Sequence, residues 1–193
     1  YRVKLLGIAK RNPQGLELRV HPTLVPADHL LAQVNGSMNA VMVKSDAAGV
    51  TMYYGAGAGS EQTASAVIAD LVDLARSSHV VHKHRVPNLA FQHSAIVELP
   101  VAVIGEVQTA YYVRLDVAKL SRTLPQVLAH LAEAGVRVQQ LDVMDHPHDE
   151  TLNAIVVQTE PTQQCLLQVA LAAVEQLPTV MGYAKTIRME NLG

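Results

Sequence analysis

The stretch Tyr111-Tyr112-Val113-Arg114-Leu115-Asp116-Val117 decides the fold of the second half of the chain. Large apolar side chains occupy every second position and polar ones stand between several of them, so this period of two predicts a strand with one buried face. Apolar residues then recur at helical spacing over 124–131, and Gly135 stands where a left-handed helix cap is expected. A strand followed by a helix is therefore the first unit of this half.

The elements after this helix continue the pattern. Three further strands are predicted, over 136–143 with a bulge near Gln139-Gln140, over 152–157 and over 179–189. A helix is predicted from Pro161, and the residues expected on its buried face are Leu166, Val169, Ala170, Ala173 and Val174. The order β-α-β-β-α-β over residues 106–193 predicts a ferredoxin-like unit, with two helices on one face of a four-stranded antiparallel sheet.

The composition is that of a globular protein with a full core. Hydrophobic residues make up 49% of the 193 residues and charged residues 17%. A net charge of −2 leaves no electrostatic footprint for nucleic acid or for an acidic membrane surface. The single Cys165 excludes an internal disulfide, fits a reducing cytoplasm and is expected to be a small buried hydrophobe.

Two hairpins are predicted in the first 55 residues. In each, two stretches of alternating apolar and polar residues flank a turn rich in breaker residues. The pairs are 1–8 with 16–21, and 38–44 with 50–54, and a short helix is predicted between them over 27–32. We expect one incomplete antiparallel sheet, whose open edges must be covered by partners or by other segments.

A glycine-rich turn opens a helix in the middle of the chain. In Gly55-Ala56-Gly57-Ala58-Gly59 the glycines let a ligand approach the main chain, and helical spacing of apolar residues runs from Ala64 to Ala75. Ser60 or Thr63 is expected to cap this helix. Its start suits an anion, but the GxGxxG spacing and the Lys-Ser/Thr of a P-loop are lacking. A ligand site and a plain tight turn both stay open.

Several segments resemble, in the same order, those of homoserine dehydrogenases. They are Tyr1–Ala9, Val20-His21-Pro22, Pro26, Asn39-Ala40-Val41, Gly55–Gly59, Thr63–Val67 with Asp70, and Val86–Phe91. The resemblance implies an α+β chain in three parts. Residues 1–78 would be the end of the catalytic and dimerisation domain with its return helix, residues 79–105 a linker, and residues 106–193 an ACT-like regulatory domain.

The resemblance also implies a function. Homoserine dehydrogenases interconvert L-homoserine and L-aspartate 4-semialdehyde with NAD or NADP, and Gly57, Ala58 and Gly59 would lie against that cofactor. The catalytic lysine, the substrate carboxylates and the GxGxxG of the family precede the matching segments. No catalytic residue is therefore assigned, and Lys4 and Lys10 are expected to be structural.

The first residues and the family's architecture imply a larger assembly. Because Tyr1 already lies within a predicted strand, we expect the chain to be the C-terminal portion of a longer protein. By resemblance that protein is a homo-oligomer. The portion by itself is expected to be inactive.

The loop that binds an effector in ACT domains departs from the family pattern. That effector is usually threonine in homoserine dehydrogenases, and the typical loop reads Asp-Arg-Pro-Gly. Here Lys119 replaces the aspartate and Arg122 the glycine, which would crowd the ligand. This departure weighs against threonine binding and favours a domain that serves assembly. An alternative of another class is a non-catalytic amino-acid-sensing module, in which the glycine run is only a turn.

Two groups of histidines are expected not to bind metal. On an extended chain His82 and His84 share a side that His79 does not, and no carboxylate is close in sequence. His146 and His148 flank a proline in a predicted exposed turn.

Overall fold

The computed structural model describes residues 1–13, 15–78, 91–119 and 122–192. Two compact units divide the chain, the first made of residues 1–27 and 100–193 and the second of residues 28–99. In chain order the described residues form β1 (Arg2–Asn12), β2 (Gly15–Val25), β3 (Met38–Ser45), β4 (Gly49–Ala56), α1 (Ser60–Ser78), β5 (Gln108–Ala118), α2 (Thr123–Glu133), β6 (Val138–Asp145), β7 (Leu152–Thr159), β8 (Thr162–Gln163), α3 (Gln164–Val174) and β9 (Lys185–Met189). None of the helices in these ranges is long and apolar enough to cross a membrane.

The first unit is built on a mixed sheet with the strand order β1-β2-β9-β5-β7-β6. Its four strands β9, β5, β7 and β6 are antiparallel neighbours, and α2 and α3 pack against the helix-facing side. This arrangement confirms the predicted ferredoxin-like β-α-β-β-α-β unit. The short β8 pairs with the start of β5 at Thr109 and Thr162.

The core of this unit follows from the alternation in β5. Every second residue from Tyr111 to Val117 is no more than 4% exposed. These side chains pack against the apolar stripes of the two helices, which are Val127 and Leu131 on α2 and Leu167, Ala170, Leu171 and Val174 on α3. Burial of this apolar surface is the main stabilising term of the unit.

The predicted ends and irregularities of α2 and β6 are confirmed. Gly135 has a φ of 76° and stands just after the helix, where the amide of Val136 donates to the carbonyl of Leu131 over 2.8 Å. A left-handed residue closed by such a bond is the Schellman ending of a helix. The register of β6 against β7 shifts between Val138 and Gln140, which is the predicted bulge.

Two expectations for the helix that follows Pro161 were wrong. The helix begins at Gln164 and not at Pro161, because Thr162 is drawn into β8. Its buried face carries Leu167 and Leu171, whereas Val169 is 65% exposed. Because α3 is apolar on nearly all sides, its periodicity does not single out one face.

Cys165 lies on the outer side of that same helix. Its side chain is exposed, so the expectation of a small buried hydrophobe was wrong as well. The last strand is also shorter than predicted, since β9 begins only at Lys185.

The N-terminal hairpin adds two strands to this sheet. β1 and β2 pair over their full lengths from Arg2 opposite Val25 to Asn12 opposite Gly15. β2 then pairs in parallel with β9, at Thr23 with Arg188 and at Leu24 with Met189. The sequence predicts both hairpins of the first 55 residues, but the structure places them in two sheets rather than one.

The second unit contains a hairpin, a short 3-10 turn at Leu30–Gln33 and α1. β3 and β4 pair from Met38 opposite Ala56 to Ser45 opposite Gly49. No residue of α1 is buried, and Val67, Ile68, Leu71 and Leu74 are each more than half exposed. The division into domains at residues 78 and 105 stays a prediction, and the compact units instead group residues 1–27 with the C-terminal half.

A buried ion cluster ties the N-terminal hairpin to the last residues of the chain. One carboxylate oxygen of Glu190 lies 2.6 Å from Nη2 of Arg19, and the other lies 2.9 Å from Nζ of Lys10. The side chains of Arg19 and Glu190 are 1% and 4% exposed. In addition, the amide of Glu190 donates to the carbonyl of Leu24 over 3.2 Å. The side chain of Lys10 is thus a member of this ion cluster.

The substitution Glu190→Gln tests this tie. It leaves the guanidinium of Arg19 buried without its main countercharge, which costs about 3–5 kcal/mol of unfolding free energy for a pair of this kind. Urea denaturation at neutral pH measures the loss. The matched control is Glu160→Gln, which removes an exposed pair with Arg137, 2.6 Å apart, and should cost less than about 1 kcal/mol. Equal small losses in both variants would contradict a stabilising role for the cluster.

Candidate functional site

The glycine-rich turn joins β4 to α1 through three exposed residues, Gly57, Ala58 and Gly59. The structure thus places the three predicted cofactor-binding residues side by side at the start of a 19-residue helix. Whether they touch a cofactor stays a prediction. The structure shows that these three residues are exposed, and none of them has a side chain larger than a methyl group.

The start of α1 differs from the predicted cap. Ser60 is already the first helical residue and Thr63 lies within the first turn, so neither occupies the position before the helix. Gly59 occupies it, and its carbonyl accepts from the amide of Thr63 over 3.0 Å. Its φ of 132° lies in a region open essentially to glycine alone, which is why a Ser or Thr cannot replace it there.

Gly57 lies close to the side chain of Asn39 on β3. A Cβ atom added at Gly57 would lie 2.5 Å from Nδ2 of Asn39, so the end of that side chain would have to move. At Gly55, by contrast, an added Cβ would meet nothing within 4 Å. The backbone angle that requires glycine is therefore the one at Gly59.

The electrostatics of the turn do not favour a highly charged anion. The helix start supplies the positive end of a dipole, but the first turn of α1 carries the acidic Glu61. A flat or weakly charged part of a ligand could approach the exposed main chain of the turn. Its own three residues have no side chain that could transfer a proton.

Two other residues that the sequence analysis considered, His21 and Lys119, form hydrogen bonds or ion pairs with neighbouring residues. Nδ1 of His21 lies 3.0 Å from the hydroxyl of Thr23 and 3.1 Å from the carbonyl of Pro22. Lys119 pairs with Asp145 over 2.9 Å. Its neighbours Leu120 and Ser121 in the predicted effector loop lie outside the described residues.

No metal site is found in the described part of the chain. His146 and His148 are ring neighbours with centroids 6.2 Å apart, but no group of three His, Cys, Asp or Glu side chains there could hold an ion. His79, His82 and His84 lie outside the described residues.

Asp116 forms an ion cluster on β5. Its carboxylate accepts from Nζ of Lys185 at 2.7 Å and from Nε of Arg114 at 3.1 Å, and Nε2 of His146 lies 3.7 Å away. Burial by itself raises the pKa of the Asp116 carboxyl, but the hydrogen bonds from Lys185 and Arg114 outweigh it and hold the pKa below its ordinary value. The cluster joins β5 to β9 and to the turn after β6.

A cavity of about 430 Å³ lies on the helix side of the first unit's sheet, where β2, β5, β9 and α3 meet. Sequence reasoning missed it, because its residues come from four separated segments. In the sequence Arg188 stands between the apolar Ile187 and Met189 of the final strand. That arginine is 9% exposed in the structure.

Comparison with known proteins gives one consistent family. A family model described as homoserine dehydrogenase matches residues 1–72. The homoserine dehydrogenase of Pseudomonas aeruginosa is 44% identical over 192 residues, which are 100% of this chain and 44% of that protein. The homoserine dehydrogenase of Neisseria gonorrhoeae is 43% identical over 192 residues, which are again 100% of this chain and 44% of that protein.

Solved structures agree. The crystal structure of a homoserine dehydrogenase from Thiobacillus denitrificans has a TM-score of 0.89 and 44% identity, and the match covers 100% of this chain and 43% of that chain. The chain is homologous to homoserine dehydrogenases. It spans less than half of their length and corresponds to a C-terminal portion of them. The homoserine dehydrogenase of Staphylococcus aureus is more distant, with 26% identity, a TM-score of 0.59 and a match that covers 100% of this chain and 42% of that chain.

The pKa of Asp116 makes a prediction about acid stability. Because the folded pKa is lowered, the contribution is fully present above the unfolded pKa of about 3.9 and is lost as the pH falls through the folded value. The difference in unfolding free energy between wild type and Asp116→Asn should therefore be constant near neutral pH and shrink below about pH 4. Urea denaturation between neutral and strongly acidic pH measures it. In a Lys185→Met background the difference should be smaller at neutral pH, and an unchanged difference would refute the role of Lys185.

The turn of this homoserine dehydrogenase homologue is tested by Gly59→Ala. Strain at such a backbone angle costs about 1–3 kcal/mol, and the new methyl group also meets the side chain of Gln62. The expected result is a loss of that size in unfolding free energy. Gly55→Ala is the control, since its site is open and its effect should stay within about 0.5 kcal/mol. If both variants match the wild type, the turn does not need its left-handed glycine.

Proposed function

We propose that this chain is the C-terminal portion of an NAD(P)-dependent homoserine dehydrogenase. The complete enzyme would interconvert L-homoserine and L-aspartate 4-semialdehyde by hydride transfer at the carbon that bears the hydroxyl group. The observation that carries the proposal is the similarity to homoserine dehydrogenases along the whole chain, at 44% identity and a TM-score of 0.89. Fold alone would not support it, because one fold serves many functions.

In the complete enzyme this chain would help to position the cofactor and would contribute no reacting side chain. Gly57, Ala58 and Gly59 would form one wall of the cofactor site. They suit that role because their main chain is exposed and because the backbone angle of Gly59 disfavours any residue with a side chain. The nicotinamide cofactor supplies or accepts the hydride when it is bound.

The exposed stripe of α1 fits the same proposal. Its apolar side chains are unburied in this chain, and contiguous exposed apolar surface marks an interaction site. We place the cofactor-binding part of the complete enzyme against it. The outer strands β1 and β6 leave two sheet edges, which suits pairing within a homo-oligomer.

The experiment is a steady-state assay of the intact protein with homoserine and NAD or NADP. Ala58→Val adds two methyl groups to the turn without requiring a left-handed backbone, so it should raise the KM for the nicotinamide cofactor about tenfold, the size expected for about 1.4 kcal/mol of lost binding. The KM for homoserine should change less. The matched control is Ala48→Val in the exposed β3–β4 turn, which should behave like the wild type.

The alternative is a non-catalytic amino-acid-sensing module. It is favoured by the complete ferredoxin-like unit, which has a hydrophobic core of its own. In that case the intact protein would bind an amino acid and turn over neither cofactor with homoserine. Absence of turnover with both NAD and NADP would overturn the dehydrogenase proposal. An unchanged rate in the presence of threonine would agree with the altered effector loop.

A further inference from the structure

The cavity between β2, β5, β9 and α3 has the composition of a binding site for a small molecule. Its volume of about 430 Å³ falls in the range of ligand pockets in proteins. Six of the ten lining residues are polar: His21 from β2, Tyr111 from β5, Gln164 and Gln168 from α3, and Thr186 and Arg188 from β9. Leu167 and Leu171 of α3 supply apolar side chains, and Pro22 and Ile187 complete the lining.

Three buried polar atoms in this wall have no hydrogen-bond partner among the described residues. They are Nε2 of His21, the hydroxyl oxygen of Tyr111 and Nη1 of Arg188. Tyr111 is 4% exposed and Arg188 is 9% exposed. Buried polar groups in native proteins are nearly always paired, so three unpaired groups around one cavity indicate a ligand that pairs with them.

The charge of the cavity indicates the class of ligand. Arg188 donates from Nη2 to the side-chain oxygen of Gln164 and lies with its guanidinium carbon 5.6 Å from the ring centre of Tyr111. In the described ranges no carboxylate forms an ion pair with it, since Glu190 is bound to Arg19 and Lys10. A buried cation without a countercharge favours an anionic ligand.

The state of His21 agrees with a positive field at this place. Burial lowers the pKa of the His21 imidazole and the charges of Arg188 and Arg19 lower it further, which together outweigh the raising effects of the hydrogen bond with the Pro22 carbonyl and of Glu190. The lowered pKa favours the neutral form of the ring. It can take part as a hydrogen-bonding group through Nε2.

We propose that this cavity binds a small organic carboxylate that carries an apolar group. The carboxylate would accept from Nη1 of Arg188 and from the hydroxyl of Tyr111, and the apolar group would pack against Leu167 and Leu171. A carboxylate fits better than a phosphate, because a single guanidinium lines the cavity and much of the remaining wall is apolar. The site is separate from the loop of residues 119–122 and from the glycine-rich turn.

The test is isothermal titration calorimetry of the intact protein with 3-methylbutanoate. Its neutral isostere 3-methylbutanamide and inorganic phosphate are the comparison ligands. We expect saturable binding of the carboxylate and binding at least about tenfold weaker for the amide, because hydrogen bonds to a charged group are about twice as strong as neutral ones. Equal binding of the amide, stronger binding of phosphate, or no binding of the carboxylate would each overturn the proposal.

Two variants locate the binding. Tyr111→Phe removes only a hydroxyl that has no partner among the described residues, so it should leave the melting temperature near that of the wild type and weaken carboxylate binding about tenfold. Arg188→Gln should weaken it more. The matched control is Tyr112→Phe, at the next position of β5, whose side chain points to the other face of the sheet and should not affect binding. If Tyr111→Phe and Tyr112→Phe bind alike, the carboxylate does not occupy this cavity.

Discussion

The junction between the N-terminal hairpin and the rest of the first unit's sheet depends on one buried carboxylate. Glu190 lies near the end of the chain and holds Arg19 and Lys10 from the N-terminal hairpin, with Arg19 at 2.6 Å in a nearly solvent-free setting. The parallel pairing of β2 with β9 is short and covers only two residue pairs. Because so few ladder bonds join the hairpin to the sheet, the ion cluster supplies much of the specificity of that junction. Burial of charges adds little net stability by itself, but an unpaired charge there is costly, so other registers of the hairpin are disfavoured.

That junction also creates the chemistry of the cavity. With β2 beside β9, His21 comes close to Arg188 and Tyr111, and residues from Gln164 to Leu171 of α3 line the other side of the cavity. The carboxylate of Glu190 neutralises Arg19 and leaves Arg188 without a countercharge among the described residues. The same placement of charge that secures the hairpin thus leaves a positive, partly apolar recess on the helix side of the sheet.

The geometry of the glycine-rich turn, unlike that of the cavity, depends on residues that have small side chains or none. Gly59 adopts a φ of 132° at the start of α1, and Gly57 passes beside Asn39. The backbone of the turn is therefore exposed, and the apolar residues of the helix that follows it are exposed as well. Neither feature requires a reactive side chain in the turn.

The sequence by itself determined the order of elements in the C-terminal half, because alternation at Tyr111–Val117, helical spacing at 124–131 and the left-handed Gly135 each act over a few neighbouring residues. It also indicated the family, through short segments in a shared order. Local patterns could not choose the face of α3, which is apolar on nearly all sides, nor the exposure of Cys165. Only the tertiary structure decided that the first hairpin joins this sheet and that Arg188, Tyr111 and His21 meet. These residues are separated by tens of residues along the chain, and their encounter depends on which strands pair, a choice made by long-range packing and charge.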